Sequence, residues 1–224
     1  MKRHSATTRI WHWINLACVV ILFMSGLNIA NAHNRLYWGS SGFEEGTEWL
    51  AYTDFPDWAL IPGGYNLAAA RDWHLLMAWP FAFGLLAFLA WSLVNRHAQR
   101  DLTTRPREWR WANIREDIVQ HLKLNFEHGD AKYNFLQKVT YGVVVFVILP
   151  LLIVTGLMMS PAMSASLEVF LHLLGGRQSA RSIHFICAFV LLGFFVLHVA
   201  LVILAGPIGQ IRDMITGGRL EAER

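Results

Sequence analysis

Charge is scarce in this chain. Only 16% of its 224 residues are Asp, Glu, Lys or Arg, against 54% hydrophobic and a mean hydropathy of +0.35. That balance excludes an ordinary soluble domain and describes a polytopic membrane protein. Cysteine is nearly missing too. The expected topology sets the two residues, Cys18 and Cys187, near opposite membrane faces, which argues against a disulfide between them. A nucleic-acid site is excluded as well, because the basic residues alternate with Trp109 and Trp111 instead of forming a continuous cationic patch. The long apolar runs contain no Asp or Glu at all, so no carboxylate is at hand inside the membrane.

What is present is hydrophobic length. About 20 apolar residues cross a hydrocarbon core of about 30 Å, and four stretches qualify, at about 11–30, 73–94, 136–159 and 183–205. These predict an all-α fold: an integral membrane four-helix bundle forming one domain over 1–224. Pro80 and Pro150 should kink the second and third helices without ending them. Lys and Arg gather in three connections: Lys2, Arg3 and Arg9; nine between Arg96 and Lys138; and Arg212, Arg219 and Arg224. By the positive-inside rule these are cytoplasmic, which places both termini there. The first outer loop instead sets Arg35 and Arg71 against Glu44, Glu45, Glu48, Asp54, Asp57 and Asp72. Within the long inner loop, Ile114, Ile118, Leu122 and Phe126 keep a four-residue period, predicting an amphipathic helix on the bilayer surface. A basic start, an apolar run and "ANA" at 30–32 also fit a cleaved leader, but the run is nearly a full span, so an uncleaved first helix is expected.

The fourth run, "SIHFICAFVLLGFFVLHVAL", carries His184 and His198. A titratable ring in hydrocarbon is costly and calls for a partner. Fourteen residues turn a helix by about 1400°, within roughly 40° of four whole turns, so both rings share one face about 21 Å apart. Of the ten histidines, His4, His33, His97, His121 and His128 fall in tails or loops, and His172 lies in an amphipathic stretch that suits the interface. His12, His74, His184 and His198 remain. Helix direction pairs them. The second and fourth helices run alike, so His74 and His184, each near its helix start, lie at the outer depth; His12 and His198 lie at the inner one.

Zinc usually takes three or four ligands, commonly with thiolate or carboxylate among them. Haem iron asks for two axial ligands inside an apolar pocket. No C-x-x-C-H occurs, which excludes covalent c-type haem. Arg9, Arg71 and Arg181 each precede a candidate ligand by three residues, in "RIWH", "RDWH" and "RSIH". An i, i+3 pair shares a helix face, so each guanidinium could hold a propionate while its histidine binds iron. Snorkelling arginines at helix ends would produce the same spacing. Gly26, Gly84, Gly142, Gly156 and Gly193 would leave room for a macrocycle, and equally for close helix contacts.

"RIWHWIN", "DWH" opening the second helix, "YNFLQKVTYG" entering the third, the Thr155-Gly156 pair and "RSIHFICAFVLLGFFVLH" together resemble the prokaryotic di-haem cytochrome b subunits. These are the membrane subunits of nickel-iron hydrogenases, formate dehydrogenase and thiosulfate reductase, and the cytochromes paired with molybdopterin enzymes. The resemblance covers nearly the whole chain. It implies two haem b groups with bis-histidine ligation, His12 with His198 inside and His74 with His184 outside. It also implies electron transfer between quinone and an extracytoplasmic redox subunit of molybdopterin, iron-sulfur or hydrogenase type, in a bacterial cytoplasmic (inner) membrane. By the same resemblance Asn134 lies near the inner haem and quinone, although a loop asparagine is often only a cap. No residue is expected to be catalytic in itself. The long outer loop, with its "RLYWG", departs from the shortest family members. Two rivals stay open: a self-contained di-haem quinone reductase fed by a diffusible reductant such as superoxide, and a haem-free histidine relay for protons.

Overall fold

The computed structural model describes residues 5–41, 44–95, 104, 106–122 and 134–218, with the side chains of His121 and Leu122 left out. Lys2, Arg3, His4, Arg96, His97, Phe126, His128, Arg219 and Arg224 lie outside what is described, as do Arg100, Arg105, Lys123 and Lys132 among the nine cations of the inner loop. The order is α1 (Ala6–Asn31), β1 (Arg35–Leu36), β2 (Leu50–Ala51), α2 (Leu67–Val94), α3 (Trp111–Leu122), α4 (Phe135–Val143), a π-helical turn (Val144–Ile148), α5 (Leu149–Met159), α6 (Glu168–Leu173), α7 (Arg177–Leu204) and α8 (Pro207–Thr216). Four helical stretches are long and apolar enough to cross a membrane: Ala6–Asn31, Leu67–Val94, Phe135–Met159 and Arg177–Leu204. The protein is an all-α integral membrane helical bundle.

Each span begins at or before its apolar run, because helix geometry continues into polar residues that still satisfy the backbone ladder. In α2 the half-buried His74 and Met77 and the buried Ala70, Phe81, Leu85, Phe88 and Ser92 repeat at three- and four-residue steps, one helical face. Leu75, Leu76, Trp79, Phe83, Leu86 and Leu93 point the other way and are exposed, as a lipid-facing side should be. The third span contains the π-helical turn just ahead of Pro150. Proline there has no N–H to give and its ring crowds the carbonyl of Phe146, so the ladder widens by one residue instead of breaking.

Two compact units share the spans. The first comprises Met1–His12, Leu86–Ile148 and Leu191–Arg224. In it, Trp109 belongs to a short 3-10 turn, Pro106–Trp109, and Trp111 opens the helix α3. Asp117 of α3 accepts from the Leu136 amide at 2.9 Å, and Lys138 meets Glu108 at 2.7 Å. The second comprises Trp13–Leu85 and Leu149–Val190. Cys18 and Cys187 both belong to it, buried and free.

The loop between α1 and α2 is a built structure inside the second unit. Strands β1 and β2 pair antiparallel, Arg35 opposite Ala51. Asn28, fully buried, donates to the carbonyls of Ile61, Pro62 and Gly64 at 3.3, 3.3 and 2.9 Å and accepts from the Asn66 amide at 3.1 Å. Trp49 donates to the Ser182 hydroxyl at 2.9 Å, which in turn donates to the Tyr37 carbonyl at 2.6 Å. The Gly39 carbonyl receives the amides of Gln178 and Ser179 at 3.0 and 3.2 Å, satisfying orphan donors at the start of α7. Gly176 makes that approach: it sits at φ 111°, and a Cβ there would fall 2.3 Å from the Ser40 Cα.

Candidate functional site

The four intramembrane histidines come together as two pairs, one in each unit. His12 of α1 and His198 of α7 have ring centroids 6.4 Å apart with planes tilted by 60°. His74 of α2 and His184 of α7 have centroids 6.3 Å apart with a tilt of 56°. Two hydrogen-bonded or stacked imidazoles would have no reason to stop twice at the same distance and angle. A metal–imidazole bond is about 2 Å and a ring centroid lies about 1.1 Å behind its nitrogen, so two axial rings on one metal sit roughly 6.2 Å apart. Both pairs fit that separation. Among the described residues no group of three or more His, Cys, Asp or Glu gathers where a bare metal ion could be held. The donor set is thus two nitrogens per site, in apolar surroundings, which suits haem iron better than zinc.

Around His74 and His184 the supporting atoms repeat. Ser25 Oγ lies 3.1 Å from His74 Nδ1 and donates to the Ile21 carbonyl at 2.7 Å. Thr155 Oγ1 lies 2.9 Å from His184 Nδ1 and donates to the Leu151 carbonyl at 2.5 Å. Since each hydroxyl proton is committed to its own helix, the hydroxyl oxygen accepts and the ring Nδ1–H donates. The tautomer that follows carries its lone pair on Nε2, the nitrogen free to bind metal. Gly26 and Gly156 face the same rings; a Cβ on either would stand 3.5 Å from the Cε1 of His74 or His184.

The first unit's pair is walled by aromatics. Phe194 stacks on His198 at 5.7 Å, and Tyr141 meets both Phe194 and His198 edge-on at 6.1 and 6.5 Å. Trp11 stacks on Phe88 at 4.3 Å, one residue before His12. These rings offer the flat apolar walls that a macrocycle needs.

The three arginines have different surroundings. Arg9 donates to the carbonyl of Ile215, in the last turn of α8, where a cation complements the helix dipole. Arg181 donates to the carbonyl of His33, beside the Tyr52 phenol. Arg71 is exposed on α2. A guanidinium has five N–H donors, so a single carbonyl does not exhaust Arg9 or Arg181. Asn134 is the N-cap of α4 in a capping box: its side chain accepts from the Gln137 amide at 2.8 Å, and Gln137 answers to the Asn134 amide. His172 is exposed, 3.7 Å from Glu168 one turn earlier.

Charges outside the spans belong to the loop. Burial first, then Arg181 and Arg35, holds His33 below the usual imidazole value. Burial raises the Tyr52 phenol, against the opposing pull of Arg181. Arg35 pairs with Glu45 at 3.2 Å and Glu48 at 3.6 Å, which internalises part of the loop's acidity. Trp58 and Tyr65 project outward, and Trp38 stacks on Trp49 at 5.5 Å with both rings exposed.

Sequence spacing alone did not single out Ser25 or Asn28. The available signal was a hydroxyl residue followed by glycine at the end of an apolar tetrad, "ILFMSG" at 21–26 and "LLIVTG" at 151–156.

The chain is 29% identical over 205 residues, 90% of each chain, to a protein of Azospira oryzae described as a putative protein-methionine-sulfoxide reductase subunit, YedZ1. No solved structure matches. The profile of the prokaryotic cytochrome b561 family matches residues 3–217, and this chain, a multi-pass membrane protein built for haem b and electron transfer, belongs to that family.

Proposed function

We propose that the chain, as one membrane domain, is a di-haem b-type cytochrome subunit that moves electrons across a bacterial inner membrane between quinone and an extracytoplasmic oxidoreductase subunit. The observation that carries this reading is the duplicated histidine pair, with centroids at 6.4 and 6.3 Å and no third ligand type at either place among the described residues. His12 and His198 would hold the inner haem, and His74 and His184 the outer one. When bound, haem iron supplies one-electron chemistry, and the protein supplies spacing, ligation and polarity. His74 and His184 present Nε2 because their Nδ1 protons are committed to Ser25 and Thr155. Arg9, Arg71 and Arg181, each one turn before a ligand, would offer guanidinium donors to propionates. Asn134, rigid as a cap, would border the inner haem and quinone. Both termini and α3 would lie on the cytoplasmic side.

On the outer side the partner would be a catalytic reductase subunit, of the kind the name of the Azospira relative describes. Electrons would then run from quinol outward. The exposed aromatic set Trp38, Trp49, Trp58 and Tyr65, with Asp54 and Asp57, suits an interface with a partner of basic surface.

Pyridine-haemochrome analysis of the detergent-purified protein tests the reading, with two haem b per chain expected. His12→Ala and His198→Ala should remove one and the same haem, and His74→Ala and His184→Ala the other. Each should leave about half the absorbance if the sites are independent. Loss of the same haem in His12→Ala and His74→Ala would refute the pairing.

A further inference from the structure

We infer that Ser25-Gly26 and Thr155-Gly156 are a matched pair of ring holders that set the azimuth and tautomer of His74 and His184, making both hydroxyls positioning residues for one centre; this rests on the haem reading above. The two dipeptides come from different helices, α1 and α5, and do the same thing atom for atom. Each hydroxyl is fully buried. Each donates to the carbonyl four residues back, Ile21 or Leu151. Each lies about one hydrogen bond from an Nδ1, at 3.1 and 2.9 Å. Each also reaches the carbonyl three residues back, Leu22 at 3.2 Å or Leu152 at 3.4 Å.

The hydroxyl proton is already spent on its own helix, so the hydroxyl oxygen demands a proton at Nδ1. A ring with its proton on Nε2 would set a bare nitrogen against a hydroxyl lone pair, inside a membrane where no water relieves the clash. The glycines add the second constraint. A helix residue with a Cβ would stand in contact with the ring's Cε1, at 3.5 Å; with glycine the ring lies against bare backbone, and on that side the hydroxyl is the group that fixes its rotation. The two rings so held stand at 56° to each other.

The electronic effect follows from the donor direction. An Nδ1–H that donates to oxygen leaves more electron density on Nε2, which stabilises the oxidised metal. Removing the acceptor should raise the midpoint potential of this one haem and leave the other where it is.

The test uses the full-length protein in detergent with both haems bound. The variants are Ser25→Ala, the isosteric Thr155→Val, and the exchange Ser25→Thr with Thr155→Ser. Low-spin g-max reports the angle between axial imidazole planes, a redox titration reports the potential, and transfer to apomyoglobin reports retention. Ser25→Ala and Thr155→Val should each shift g-max and raise the potential of one haem. They should weaken its retention about 10- to 100-fold, the usual cost of losing an outer-shell partner. The hydroxyl exchange should leave all three readouts at the parent value. Unchanged g-max, potential and retention in both hydroxyl-free forms would overturn the inference alone, as would an exchange variant that behaves like them. A parent without two low-spin haems would overturn the proposed function, and this inference with it.

Discussion

Replacing Asn28 by Leu should loosen one specific chain of contacts that ends at a candidate ligand. The Asn28 carboxamide is fully buried. Its two N–H groups serve the carbonyls of Ile61, Pro62 and Gly64, and its oxygen accepts from the Asn66 amide. Asn66 in turn caps α2, its side chain accepting from the Ala69 amide at 3.1 Å, and His74 follows two turns later. Leucine keeps the branching and the heavy-atom count and removes every one of these bonds. Three well-used hydrogens are lost at about 1 kcal/mol net each, and at least one backbone group is left buried without a partner at about 1–3 kcal/mol, so the cost should be roughly 4–6 kcal/mol. For a chain of this size that is a fall of about 8–24 °C in the unfolding midpoint. The assay is thermal unfolding in detergent, followed by haem absorbance and by tryptophan fluorescence. The haem proposed for His74 and His184 should be released first, because Asn66, which caps that ligand helix, has lost its anchor on Asn28. A midpoint within about 2 °C of the parent, or simultaneous loss of both haems, would refute the reasoning.

Gly156→Ala should keep haem, since its added Cβ stands at an ordinary 3.5 Å from the His184 ring, whereas Gly156→Leu should lose the haem proposed for His74 and His184; haem stoichiometry checks both. Acidification should loosen the outer loop: burial, Arg181 and Arg35 hold His33 below 6.5, so the unfolded form binds the proton first and the neutral ring's contribution is lost as pH falls below about 6.5. Limited proteolysis of the loop against pH should show this, and His33→Asn should flatten the profile. Deleting residues 44–57 should cost haem, because it removes the Trp49 and Tyr52 contacts with α7 and α1. Trp58→Ala, at a side chain 83% exposed, should leave haem content and melting unchanged and weaken binding of the partner subunit by about 1–2 kcal/mol if Trp58 is an interface anchor, a difference readable by titration calorimetry.

Hydrophobic length was legible without a structure, since lipid imposes it directly: four spans of 25–28 residues had to be nearly continuous apolar runs. The grouping of His12 with His198 and His74 with His184 was legible for a related reason, because helix direction and rise convert sequence position into depth. Other features depended on neighbours distant in the chain. Pro150 announces a disturbed helix, but whether it becomes a kink or the π turn at Val144–Ile148 depends on what packs around it. From the sequence, the loop between α1 and α2 is an acidic stretch rich in tryptophan. Only tertiary contacts make it a cover, with Trp49 reaching Ser182, Gly39 capping α7, and Gly176 allowing the approach. Arg9 and Arg181 show the limit most plainly. Their spacing from histidine follows from the sequence, yet the carbonyls they engage, of Ile215 and His33, are 206 and 148 residues away. Ser25 is an ordinary small polar residue in an apolar run until α2 brings His74 to it, because a hydrogen bond between helices is decided by three-dimensional proximity and one-dimensional periodicity carries no record of it.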